Sequence, residues 1–189
     1  MSPGGPQGAQ GAPRLATLRF FVPGLPVPQG SKRVVRGRLI DANHATLRPY
    51  RALVADAALE ALGVPPDAHD GSAGPTDPLG GHIPTREPVT VALRFGLPRP
   101  RGHYGTGRNA GIVKPSAPVW PATKPDVDKL VRAVLDALTG IVWVDDSQVA
   151  ILSAEKVYSP TPHTVVTVQA PPVVAFSADL SGGPTGGAS

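Results

Sequence analysis

No cysteine occurs among the 189 residues, which excludes a disulfide framework, a thiolate metal site and a cysteine nucleophile. Any metal bound by this chain must be held by oxygen or imidazole. The chain also has no continuous apolar run of membrane length, and its opening, MSPGGPQGAQGAP, lacks the apolar central region of a secretory signal. A soluble, intracellular protein with no membrane partner is therefore expected. Acidic groups are the minority, 14 Asp and Glu against 18 Lys and Arg, for a net charge of +4. That balance favours a polyanionic partner.

What is abundant is proline and glycine, 24 and 22 residues, about a quarter of the chain. Such a share implies long irregular segments and an ordered core smaller than the chain. The length suits one domain, expected over residues 15–170. Residues 1–14 and 171–189 read as disordered tails, too poor in large apolar groups to offset the entropy of ordering. A proline- and glycine-rich flexible loop is expected as an insertion at 63–88.

Between these segments the periodicities alternate. ATLRFFV at 16–22 reads as a strand ended by PGLPVPQG, and KRVVRGRLID as a hairpin turning near Arg36 and Gly37. Helical spacing runs from Tyr50 to Leu62, with Pro49 near the start and Gly63 as the stop. VTVALRF at 89–95 alternates like a strand. A basic loop from Leu97 to Lys124 follows, carrying Arg99, Arg101, His103, Arg108, Lys114 and Lys124 with Tyr104 and Trp120 interspersed. Leu130, Val131, Val134, Leu135 and Leu138 mark the buried stripe of a second helix ended by Gly140. Strands are expected at Ile141–Val144, Val149–Tyr158 and Thr164–Val168, with a turn at Asp145–Ser147. The sum is a compact α+β domain with a mixed sheet of four to six strands and helices on one side.

The second helix is bracketed by carboxylates, Asp126 and Asp128 before it and Asp145 and Asp146 after it. A single Asp at a helix entrance ordinarily caps it, and Asp is common in turns. Four together repel one another, a cost a cation relieves. If the entry is extended, Asp126 and Asp128 point to one side while Val127 points inward. A chain that returns antiparallel then brings the Asp145–Asp146 turn beside them. Oxygen-only ligation of this kind suits Mg²⁺, or Mn²⁺ in its place.

The motifs KPDVDK at Lys124–Lys129, LDALTG at Leu135–Gly140 and WVDDSQV at Trp143–Val149 resemble in order and spacing those of the RusA-like Holliday junction resolvases, endodeoxyribonucleases of bacteriophages and prophage-bearing bacteria. FVPGLPVPQGSKR at Phe21–Arg33, PRPRGHY at Pro98–Tyr104 and Lys156 extend the likeness more weakly. The resemblance implies a homodimer in the bacterial cytoplasm. It implies Mg²⁺-dependent resolution of four-way DNA junctions by paired symmetric nicks in recombination and repair, leaving 3′-hydroxyl and 5′-phosphate ends. Carried over, the metal-binding carboxylates fall on Asp126, Asp128 and Asp146. The family's catalytic lysine falls on Arg132, which can stabilise phosphate charge but does not readily give up a proton. Lys129, where the family often has Asn, reads as a solvated surface residue. DNA contacts are expected from Lys32, Arg33, Arg99, Arg101, His103, Lys114 and Lys124, with His103 and Tyr104 as stacking candidates.

Two other readings compete. A DVD triplet also holds the cation of nucleotide-sugar transferases, although there it closes a strand in a larger nucleotide-binding domain. The chain could also bind branched DNA without cutting it, since a basic loop alone does not separate binding from catalysis.

Overall fold

The computed structural model of the protein describes residues 17–30, 32–35, 38–41, 44–64 and 84–172. The expected N-terminal tail, residues 173–189 of the expected C-terminal tail and residues 65–83 of the expected loop lie outside the described residues. The chain is α+β. Four strands form one mixed sheet: β1 (Leu18–Pro23), β4 (Val89–Leu97), β5 (Val149–Tyr158) and β6 (His163–Gln169), in the order β1-β6-β4-β5. β6 is antiparallel to both β1 and β4, while β4 and β5 run parallel. A parallel pair needs a long crossover, and α2 (Val127–Leu138) supplies it. β2 (Lys32–Val35) and β3 (Arg38–Asp41) form a separate antiparallel pair, and α1 (His44–Ala61) follows them.

The strands alternate as their sequences do. Leu18, Phe20 and Val22 of β1, Val89, Val91, Leu93 and Phe95 of β4, and Val166 and Val168 of β6 point to one face and are buried. Over that face pack Leu47, Tyr50, Val54 and Ala58 of α1 and Leu130, Val131, Val134 and Leu138 of α2. Leu130 and Leu138 are fully buried, and each contributes about 1.5–3 kcal/mol by leaving water. One polar pair lies inside this layer, the Tyr50 hydroxyl 2.7 Å from Thr164 Oγ1. Burial pushes the Tyr50 phenol up to about 12, against a smaller lowering by the Thr164 hydroxyl. An ion pair between Arg51 and Asp136 joins the two helices.

Two expectations fail here. Helix α1 starts at His44, not Tyr50, with Pro49 inside it. Leu47 extends the apolar stripe one turn back, and Pro49, the sixth residue of the helix, costs it the amide bond to the Ala45 carbonyl and crowds that carbonyl. Ile141–Val144 is not a strand. Gly140, at φ 82°, reverses the chain, and the Ile141 and Val142 amides donate back to the Leu138 carbonyl. Val142 and Trp143 are buried, Trp143 completely, so this apolar run plugs the core, and its strand-like contact is limited to isolated bridges from Trp143 to Thr85 and Thr139.

Candidate nuclease site

The exit turn is organised around Gln148. Its Oε1 accepts from the Val144 and Asp145 amides, both at 3.0 Å, and its Nε2 donates to the Thr85 and Glu87 carbonyls at 2.8 and 3.1 Å. The two donors and two acceptors fix the amide's orientation. Asp145 caps the short 3₁₀ turn Asp146–Gln148 by accepting from Ser147 N at 2.9 Å. Those side-chain and backbone bonds to Ser147 hold the Asp145 carboxyl below its usual range. The adjacent carboxylates therefore divide: Asp145 holds the turn, while the Asp146 carboxylate has no hydrogen bond or ion pair among the described residues.

The entry is held by a residue from the neighbouring strand. Lys156 of β5 donates from Nζ to the Thr123 and Pro125 carbonyls, 2.8 Å each. These bonds pin the segment containing the cis Lys124–Pro125 peptide against the sheet. Asp126 is the last extended residue before α2, at φ −71° and ψ 137°, and its side chain makes no capping bond. Instead its carboxylate lies 3.3 Å from Lys129 Nζ. Lys129 thus pairs with Asp126 while its side chain stays 42% exposed.

The backbone is already helical from Val127, so side chains there rotate by about 100° per residue instead of alternating. This overturns the expected shared orientation of Asp126 and Asp128: Val127 is 37% exposed, not turned inward, and the two carboxylates face different cavities. Asp128 lines a cleft of about 290 Å³ together with Arg132, Asp146, Val127, Val131, Leu135, Leu152 and Ala154. Asp126 lines a neighbouring cavity with Lys124 and Lys129. Asp128 and Arg132 stand one turn apart on α2, and β5 carries the floor of the cleft. Like the Asp146 carboxylate, neither side chain has an ion-pair or hydrogen-bond partner among the described residues. Two free carboxylates and one free guanidinium therefore converge, although no cluster of three metal-ligating side chains occurs among the described residues.

The basic loop is more tightly built than its charge suggests. Arg99 donates to the Pro118 carbonyl at 2.8 Å and lies 4.1 Å over the Tyr158 ring. His103 meets the same ring edge-on at 5.5 Å, and Lys114 donates to the Gly102 carbonyl at 2.9 Å. Arg99 and His103 brace the loop onto β5 and Lys114 ties the loop to itself, while Arg101, Arg108, Lys114 and Lys124 are exposed. Of the expected stacking residues, Tyr104 is half-buried and pairs with Val113. The exposed ring of this loop is Trp120, at 58%. Lys32 and Arg33 lie on β2, and their side chains fall outside the described residues.

Residues 77–169 match the family model for the endodeoxyribonuclease RusA. That stretch of the chain belongs to the RusA family. It contains the cleft residues Asp128, Arg132 and Asp146 and both holding residues, Gln148 and Lys156. A curated relative, the uncharacterized protein YqaN of Bacillus subtilis (strain 168), is 47% identical over 82 residues, 43% of this chain. The match spans 57% of that relative's length. The structural work of Gln148 was missed in the sequence because a polar residue after a turn carries no periodic signal; the Q in the WVDDSQV motif was the available clue. No helix among the described residues is long and apolar enough to cross a membrane.

Proposed function

We propose that the chain is a divalent-metal-dependent endodeoxyribonuclease that binds branched DNA and resolves four-way junctions by paired nicks. The observation that carries this reading is the single cleft shared by Asp128, Arg132 and Asp146 within the RusA-family segment. Its donor set fits a hard cation: carboxylate oxygens without other partners, on a chain with no cysteine. Asp128 and Asp146 would hold Mg²⁺ or Mn²⁺, and Asp126 would join them on exchanging its pairing with Lys129. Bound there, the cation supplies positive charge against the scissile phosphate and an ionisable water.

The remaining work falls to the protein's own side chains. Arg132 lines the same cleft, and its guanidinium binds the non-bridging phosphate oxygens as charge develops on them. It donates hydrogen bonds and no proton. Arg101, Arg108 and Lys124 grip the DNA backbone, which makes affinity fall steeply with salt, and Trp120 offers a face for an unpaired base. One cleft cuts one strand, so resolving a junction takes two copies. A C2 homodimer matches the approximate two-fold symmetry of a four-way junction.

The test is a labelled four-way junction with EDTA or with Mg²⁺. Wild-type protein is expected to bind in both and to cut two opposing strands only with Mg²⁺. Asp128→Asn and Asp146→Asn should lose the nicks and keep binding. Binding without nicks in either Mg²⁺ or Mn²⁺ would instead establish the non-catalytic DNA-binding reading.

A further inference from the structure

The proline-rich turn after β1 has no role in the chemistry above, yet it forms one wall of a cavity beside Asp126. Leu25, Pro26, Pro28, Gln29 and Gly30 face Leu97, Lys124, Pro125, Asp126 and Lys129 across about 520 Å³. The Gln29 amide donates from its backbone to the Lys129 carbonyl at 2.9 Å, tying that wall to the first turn of α2. This volume falls within the range of about 300–1,000 Å³ typical of small-molecule sites. The apolar part of the lining comes from Leu25 and Leu97 and from the conformationally restricted rings of Pro26, Pro28 and Pro125, and no aromatic ring lines the cavity.

Two further observations indicate the ligand. Lys124, Lys129 and Gln29 line the cavity, and the Gln29 Oε1, buried beneath its surface without a hydrogen-bond partner among the described residues, reaches it on rotation of the side chain. A buried amide oxygen lacking a donor favours a ligand that brings an N–H. The Lys124 ammonium, joined by that of Lys129 when it leaves Asp126, favours an anion attached to that ligand. An apolar ring bearing N–H groups and linked to a phosphate is a nucleotide. Asp126 belongs to this cavity while Asp128, two residues on, belongs to the nuclease cleft, so one DNA strand can occupy both.

We infer that this cavity captures an unstacked nucleobase adjacent to the scissile phosphate, with the Gln29 amide turning to the base edge and Lys124 and Lys129 holding its phosphate. The capture extends the nuclease reading, on which its place in the reaction rests. It fixes the strand in register before cutting, because a base removed from the stack cannot slide with the duplex.

The experiment walks the fluorescent base 2-aminopurine through the strands of a four-way junction around the branch, in EDTA so that no cutting is needed. Wild-type protein should raise the fluorescence several-fold at one position per strand pair, since unstacking relieves quenching. Leu25→Trp, an exposed position where the larger ring fills the cavity, and Gln29→Leu should each abolish that rise without lowering the melting temperature. An abasic nucleotide at the same position should weaken wild-type binding about tenfold and Leu25→Trp binding less than twofold. The inference is overturned if no position responds to either variant, or if the abasic nucleotide weakens both proteins equally. If the fluorescence responds as expected and Mg²⁺ still produces no nicks, the cavity stands and the nuclease reading fails.

Discussion

Replacing Gln148 by leucine removes four hydrogen bonds and leaves the volume of the side chain nearly unchanged. Each such bond contributes about 0.5–1.5 kcal/mol net. Val144 N retains the Thr85 carbonyl at 3.2 Å, and Asp145 and Glu87 are exposed, so water or existing partners take up part of the loss. About 2 kcal/mol of destabilisation remains, which in a chain of this length lowers Tm by roughly 4–8 °C. The kinetic effect should be larger than stability alone implies. Gln148 ties the Asp145–Asp146 turn to the segment before β4, and a displacement of about 1 Å in a reacting group costs on the order of 100-fold. Single-turnover nicking of a labelled junction, well below the melting range, should therefore slow by about two orders of magnitude while junction affinity changes little. Gln148→Glu is the companion variant. It keeps the two acceptor contacts but sets a negative oxygen against the Thr85 and Glu87 carbonyls, and should be similarly slow. A Gln148→Leu protein that melts early yet cuts within about twofold of wild type would refute the positional reasoning.

Lys156→Met removes both bonds to the Thr123 and Pro125 carbonyls, and the concentration of Mn²⁺ needed for half-maximal cutting should rise about 10–100-fold; an unchanged requirement would confine Lys156 to stability. Arg132→Ala should lower the maximal cutting rate by about 100-fold with junction binding intact, and Arg132→Lys should recover most of it, whereas equal loss of binding and rate in both variants would assign Arg132 to DNA grip. The Tyr50 phenol, pushed up to about 12 by burial, stays protonated in the fold at pH values where it ionises in the unfolded chain. Its stabilising contribution is complete below pH about 10 and is lost between there and about 12, amounting to about 3 kcal/mol. Denaturant titrations across that window should show the decline in wild type and not in Tyr50→Phe, which should itself be less stable at neutral pH because Thr164 loses its partner.

The readable parts of the fold were those whose side chains repeat with the backbone. The alternation Val89, Val91, Leu93, Phe95 and the stripe Leu130, Val131, Val134, Leu138 each specify an element and the face it buries, and β4, β5, β6 and α2 formed where those patterns lie. Ile141–Val144 has the composition of a strand but reverses at Gly140 and sends Trp143 into the core, because an apolar β-branched run satisfies burial equally well in either conformation. Pro49 suggested a helix start that the burial of Leu47 moved back to His44.

At the site, residue type and order alone marked the four carboxylates, Arg132 and the family to which residues 77–169 belong. Only the tertiary structure divided the labour. A half-turn of helix at Val127 turned Asp126 towards Lys129 and Asp128 towards Asp146, and one hydrogen bond to Ser147 separated Asp145 from its neighbour. Gln148 and Lys156 became the residues that hold the two ends of the site, and Arg99 and His103 met the Tyr158 ring while Lys114 bonded the Gly102 carbonyl. The physical reason is common to all of these cases. Charge and polarity are properties of a residue, but the direction in which a side chain points depends on backbone dihedrals and on partners brought together from distant parts of the chain.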